Sequence, residues 1–164
     1  MKQKGISSKE IEVISYLELE EKRFFNKSDI RRFFKNKNEM GVYIHKLKNK
    51  KRIIRINKDK YYLIPIKAYQ GYWSEYPFIV IDEIFNGKDY FIGGKAAAHY
   101  WHYIEQIPNE IDVYTTKKQG RRDIFNFTIR YRRTTKRNMR GFVIKKIKSH
   151  KFIIADKKRA LEWK

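Results

Sequence analysis

Three short capped helical stretches, a basic β-hairpin directly after them, and a second half mixing strand-like and helix-like runs predict an α+β chain. The expected architecture is an N-terminal winged helix-turn-helix followed by a small mixed α/β domain. Ser7-Ser8-Lys9-Glu10 has the form of a capping box, and Ile11, Val13, Ile14 and Leu17 follow as a broad apolar stripe. Asn26-Lys27-Ser28-Asp29 opens a second helix in the same way, with Ile30, Phe33 and Phe34 as its inner side. Asn36 or Asn38 caps a third helix, which places Met40, Tyr43, Ile44 and Leu47 on one face.

The opposite face of that third helix carries Asn38, Val42, His45 and Asn49, flanked by Gly41 and Lys46. Amide and imidazole groups in a row suit the base edges of a major groove. Next come two β-branched or aromatic runs, Arg52 to Ile56 and Lys60 to Ile64, joined by Asn57-Lys58-Asp59. A hairpin after a recognition helix is a wing. Arg52, Arg55, Lys58 and Lys60 lie along it, and with Lys46 they suit phosphate contact.

The expected winged-helix domain spans residues 1–66, a linker 67–75 and the α/β domain 76–164, with Gly71 and Pro77 marking the change. In the second part Phe78 to Phe85 reads as a buried helix, and Tyr90 to Gly94 as a strand entering a tight turn. Lys95 to Tyr103 reads as a helix opened by alanines. Strands are expected at Ile111 to Thr115 and Ile124 to Arg133, joined by a basic loop, and a further pair near Phe142 to Ile147 and Lys151 to Ala155.

Charge narrows the function. Lys and Arg number 39 against 18 Asp and Glu, a formal net charge of +21 in 164 residues. Such an excess costs self-repulsion in the folded state and points to a polyanionic partner, with nucleic acid ahead of an anionic membrane surface. Between Lys117 and Lys151 there are fourteen Lys and Arg and one acidic residue, Asp123. Lys117, Lys118, Arg121 and Arg122 form one basic loop, and Lys136, Arg137 and Arg140 belong to a second. Arg130 and Arg132 alternate with Tyr131, so both project from one strand face. These residues are expected to extend the phosphate grip into a clamp of two domains. The chain has no cysteine, which excludes disulfides and thiolate chemistry. It has no apolar run near the ~20 residues of a membrane span and no signal-peptide core, so no membrane association and a cytoplasmic location are expected.

The run Tyr90-Phe91-Ile92-Gly93-Gly94-Lys95-Ala96-Ala97-Ala98-His99-Tyr100-Trp101, then Glu105-Gln106-Ile107-Pro108-Asn109 and the strand to Thr115-Thr116, resembles the AbiEi family. The segment Ile153 to Leu161 resembles that family too. The resemblance implies a winged-helix transcriptional regulator acting as the antitoxin of a type IV toxin–antitoxin system. It also implies binding to an operator, often the family's own promoter, and opposition to a nucleotidyltransferase-type toxin. The same segment has a plainer reading, since Gly93-Gly94 permits a turn and Pro108 stops a helix.

An enzymatic reading competes. Gly93-Gly94 followed by Glu110-Ile111-Asp112-Val113 matches the outline of polymerase-β-like nucleotidyltransferases, with Glu110 and Asp112 as metal ligands on one side of a strand and Asp123 or Asp156 as a third. The helix after Gly94 offers no Ser or Thr to a nucleotide phosphate. His99 and His102, with Glu105, have metal-ligand spacing but sit among Tyr100, Trp101 and Tyr103, where packing is the simpler role. Tyr69, Tyr72, Trp73 and Tyr76 could stack on unpaired bases, and again packing is simpler. The expectation is a non-enzymatic reader of double-stranded DNA with no cofactor, no catalytic residue and no metal ligand.

Overall fold

The computed structural model describes residues 5–68 and 73–163, and divides into two compact units, residues 1–73 and 74–164. The division falls inside the segment expected as a linker. Among the described residues the chain is mixed α+β, with six α-helices and two sheets.

In the first unit α1 (Ser8–Leu19) starts at the expected capping box, where Glu10 Oε2 accepts from the Ser7 N–H at 2.6 Å. Val13, Ile14 and Leu17 are buried, but Ile11 is exposed, so the apolar stripe is narrower than the sequence suggests. Glu10 itself is fully buried and also accepts from Lys50 Nζ at 2.5 Å, which ties α1 to a residue 40 positions further along the chain. Burial pushes the Glu10 carboxyl up, but hydrogen bonds from Lys50 and Ser7 outweigh it and hold the group below its ordinary range.

Strand β1 (Phe24–Asn26) has no counterpart in the sequence reading. It leads into α2 (Lys27–Ile30), a single turn followed by a 3₁₀ turn at Arg31–Phe33. Asp29 Oδ2 accepts from the Asn26 N–H at 2.7 Å, while Oδ1 accepts from Lys22 Nζ at 2.8 Å. Asn36, rather than Asn38, caps α3 (Lys37–Asn49), its Oδ1 accepting from the Glu39 N–H at 2.8 Å. Strands β2 (Ile53–Arg55) and β3 (Lys60–Leu63) form the expected hairpin, and β1 adds to its far side in the order β1-β3-β2. The core joins Val13, Ile14 and Leu17 to Phe25, Ile30, Phe34, Met40, Ile44, Leu47, Ile53, Tyr61 and Leu63.

The second unit opens with α4 (Pro77–Phe85), with Pro77 at the first turn where its missing N–H is harmless. Strand β4 (Phe91–Gly93) runs directly into α5 (Gly94–Tyr100). This helix ends three residues sooner than expected. The Tyr103 N–H returns to Ala98 O, with His102 at φ +61°, a C-terminal lock made without glycine. His99 and His102 therefore do not share a helical face. Strand β5 (Glu110–Thr115) follows as expected.

The single strand expected from Ile124 to Arg133 is a hairpin instead. Strand β6 (Gly120–Ile124) turns through Phe125, at φ +52°, into β7 (Phe127–Arg133). Arg121 and Arg122 thus sit on a strand, not in a loop. Strands β8 (Phe142–Ile147) and β9 (His150–Ala155) pair antiparallel, and α6 (Lys157–Leu161) closes the unit. The six strands run β6-β7-β5-β4-β9-β8, with β5/β7 and β4/β9 parallel and the rest antiparallel.

Helix α4 covers one sheet face, bringing Phe78 to Phe152 and Phe85 to Tyr131, with ring centroids 5.2 and 6.0 Å apart. The Tyr90 hydroxyl donates to Asp82 Oδ1 at 2.6 Å and accepts from the Ile153 N–H at 3.0 Å, linking α4 to β9. On the other face Phe91 stacks with Tyr114 and with Phe142, and the Arg159 guanidinium lies 4.4 Å from the Phe91 ring.

Candidate nucleic-acid interface

The burial of Met40, Ile44 and Leu47 turns the other side of α3 outward, so Asn38, Val42, His45 and Asn49 are all exposed. Three of these four are polar, as a base-reading surface requires. Asn49 Nδ2 lies 2.9 Å from His45 Nε2, which fixes the two side chains against each other one helical turn apart. Lys46 lies beside them with its ammonium 4.9 Å from the Tyr43 ring.

The hairpin turn is built by Asn57, whose Oδ1 accepts from the Asp59 and Lys60 N–H groups at 3.0 and 2.9 Å. Lys58 is left exposed at the tip. Arg55 folds back over the turn, its Nε donating to Asn57 O at 3.1 Å. Arg52 and Lys60 are half-buried at the strand ends. A groove of about 340 Å³ separates the end of α3 from β2, walled by Lys48, Lys51, Arg55 and the apolar Ile53, Ile54 and Ile64. Lys48 and Lys51 are additions to the expected contacts. Lys48 enters from the last turn of α3, and Lys51 because the chain leaving the helix curls there, at φ +55°, which no local sequence signal marks.

In the second unit the basic residues fall into three environments. Lys118 is half-buried, its ammonium 3.9 Å from the Tyr131 ring and 5.2 Å from that of Phe85. Burial, with the charges of Arg122 and Lys117 adding to it, pushes its pKa down. Lys117 and the strand residue Arg122 flank it. Lys136, Arg137 and Arg140 are exposed around a 3₁₀ turn at Lys136–Asn138. Arg159 holds this turn from α6 by donating to Asn138 O at 3.0 Å and to Arg140 O.

Arg130 and Arg132 form the third group, with acidic partners. The register pairs Asp112 on β5 with Arg130 on β7 and Arg121 on β6 with Arg130, so all three point to one side. Arg130 grips Asp112 through two parallel bonds, Nε to Oδ1 at 2.5 Å and Nη2 to Oδ2 at 2.8 Å, and its Nη1 lies 2.8 Å from Glu110 Oε1. Arg132 Nε donates to Asp112 Oδ1 at 2.7 Å, and Arg121 Nε lies 3.0 Å from Glu110 Oε2. Asp112 is only 6% exposed. Burial pushes its carboxyl up, yet the two arginines more than reverse that and hold it below the usual carboxylate range.

Glu110 and Asp112 therefore do share one face of β5, but guanidinium nitrogens occupy the carboxylate oxygens that a metal ion would need. Among the described residues no group of three or more His, Asp or Glu is placed to hold a metal ion, and no helix is long and apolar enough to cross a membrane. Trp73 Nε1 donates to the Tyr62 hydroxyl at 2.8 Å and Tyr76 packs edge-on against Phe78, whereas Tyr69 and Tyr72 lie outside the described residues. Neither a protein-family model nor a curated protein sequence matches the chain.

Proposed function

We propose that this chain is a sequence-specific double-stranded DNA-binding regulator whose first unit is a winged helix. The observation that carries the reading is the exposed Asn38, Val42, His45, Asn49 face of α3, followed at once by a basic hairpin with Lys58 at its tip. In this reading α3 enters a major groove, the four residues meet base edges, and Lys46, Arg52, Arg55, Lys58 and Lys60 hold phosphates. The net charge of +21 supports an electrostatic grip of this kind. Lys117, Lys118, Arg122, Lys136, Arg137 and Arg140 add positive surface in the second unit.

The resemblance of Tyr90 to Thr116 to the AbiEi family supports a narrower form. The regulator is then a cytoplasmic antitoxin-type autorepressor whose partner is a nucleotidyltransferase-type toxin. The arginine clamp on Glu110 and Asp112 favours binding over magnesium-dependent nucleotidyl transfer, because displacing Arg130 and Arg132 would leave their charges unpaired. The experiment is a gel shift of the full chain on the DNA upstream of its own gene, titrated with salt. A shift that survives excess unrelated duplex supports a specific regulator. Equal competition by any duplex removes the claim of specificity, and incorporation of labelled nucleotide with magnesium, abolished in Asp112→Ala, would replace the reading with the enzymatic one.

A further inference from the structure

The edge of the six-stranded sheet carries a groove of about 330 Å³, lined by Gln119, Gly120, Arg121, Arg130, Tyr131, Arg132 and Arg133. Four arginines and no acidic residue line it, Arg130 and Arg132 from one face of β7 and Arg133, at the strand's end, from the other. The carboxylates of Glu110 and Asp112 lie beside it and hold the arginines in place.

The distribution of bonds matters more than the number of charges. Arg130 commits Nε and both terminal nitrogens to Asp112 and Glu110. Arg132 is hydrogen-bonded through Nε, and Nε is also the closest approach of Arg121 to its partner Glu110. Among the described residues the terminal nitrogens of both make no hydrogen bond, so two guanidinium forks are fixed at the base and have donors to spare at the tip. Arg133, exposed on the last residue of β7, has no ion pair or side-chain hydrogen bond among the described residues. Four arginines against two carboxylates leave two positive charges uncompensated.

A guanidinium fork matches two oxygens of one phosphate, and holding its base in advance lowers the ordering cost of each bond. Gly120, at φ +126° with no atom within 4 Å of its Cβ direction, leaves the β6 side of the groove open. We propose that this groove is a phosphate-binding site in which Arg121, Arg132 and Arg133 take the oxygens of a nucleic-acid backbone or of a free nucleotide. Arg133 and Gln119 have no part in the DNA-reading scheme above. The backbone form rests on that scheme, whereas the nucleotide form stands without it.

The test follows the arginine Nε–H signals of the ¹⁵N-labelled full chain during titration with inorganic pyrophosphate, ATP and a duplex of unrelated sequence. Arg121, Arg132 and Arg133 signals should shift with pyrophosphate, and Arg133→Glu should weaken that binding by about tenfold. Because Arg133 makes no side-chain bond to the sheet, the variant's thermal midpoint should match the parent's. If the source is backbone, Arg133→Glu also lowers duplex affinity on every sequence and flattens the salt slope by ~0.9. If it is a nucleotide, ATP competes with pyrophosphate and duplex affinity is unchanged. No arginine shift with any of the three overturns the site. Shifts with pyrophosphate in a chain that binds no duplex keep the site and remove the DNA-binding reading.

Discussion

Gly94 lies directly against Asp112: at φ +58°, a Cβ on it would collide with Asp112 Oδ2. The first residue of α5 thereby walls in the carboxylate that organises Arg130 and Arg132. Gly94 is thus a packing requirement of the ion-pair cluster, and Gly93 one of the Phe91–Tyr114 ring stack, since a Cβ there would meet the Tyr114 ring.

Gly94→Ala should be destabilising for two separate reasons. The left-handed backbone costs a side chain ~1–2 kcal/mol, and Asp112 must also move. A total of at least about 2 kcal/mol is expected, read from the urea midpoint. Gly41→Ala is the contrasting case. Gly41 sits inside α3 with nothing within 4 Å of its Cβ direction, so alanine should stabilise by ~0.5–1 kcal/mol. Equal effects of the two substitutions would show that the Gly94–Asp112 contact does not form.

Asp112→Asn removes the charge that Arg130 and Arg132 share. Breaking a fully buried pair costs ~3–5 kcal/mol, but both arginine side chains are partly exposed, at 33% and 43%. A destabilisation of about 2–3 kcal/mol is therefore expected after allowing for solvent screening. Combining it with Arg130→Met and Arg132→Met should cost less than the sum of the separate changes, because the partners are removed together. Strict additivity in equilibrium unfolding would count against a coupled cluster.

Acid should weaken both units. Glu10, Asp29 and Asp112 are each held below the ordinary carboxylate range by cationic or N–H partners that overcome their burial. The unfolded chain then takes up protons at a higher pH than the folded one, so this stability is complete at neutral pH. It drains away as pH falls below about 4 through the lowered folded values. The fall in thermal midpoint between pH 7 and pH 3 should be smaller in Glu10→Gln than in the parent. An identical fall would mean that Glu10 carries none of the acid sensitivity.

Helix starts are legible in the sequence because their chemistry is local. Ser7 with Glu10, Asn36 and Pro77 announce themselves within four residues. Helix ends are not, since Glu21, Lys51 and His102 take positive φ where a glycine would have been the signal. The β6–β7 turn is hidden for the same reason, Phe125 standing where a hairpin usually has Asn or Gly. Strand β1 escapes because three residues carry no readable period and its pairing with β3 is non-local. For the candidate interface, the exposed face of α3 follows from its 3.6-residue spacing. The arginine–carboxylate cluster does not, because it depends on β5 lying parallel to β7, a register fixed far along the chain.

The central claim is a division of labour, with α3 reading bases and the hairpin holding phosphates. The most direct measurement is fluorescence anisotropy of duplexes with and without the chain's preferred site, comparing Asn49→Ala with the double variant Lys58→Ala/Lys60→Ala. The double variant should weaken binding to both duplexes alike and reduce the salt slope by up to ~0.9 for each phosphate no longer neutralised. Asn49→Ala should keep the salt slope and narrow the preference between the duplexes, by ~1–3 kcal/mol for a good base contact. If both variants weaken binding equally on every duplex, α3 is not the reader and the account is contradicted.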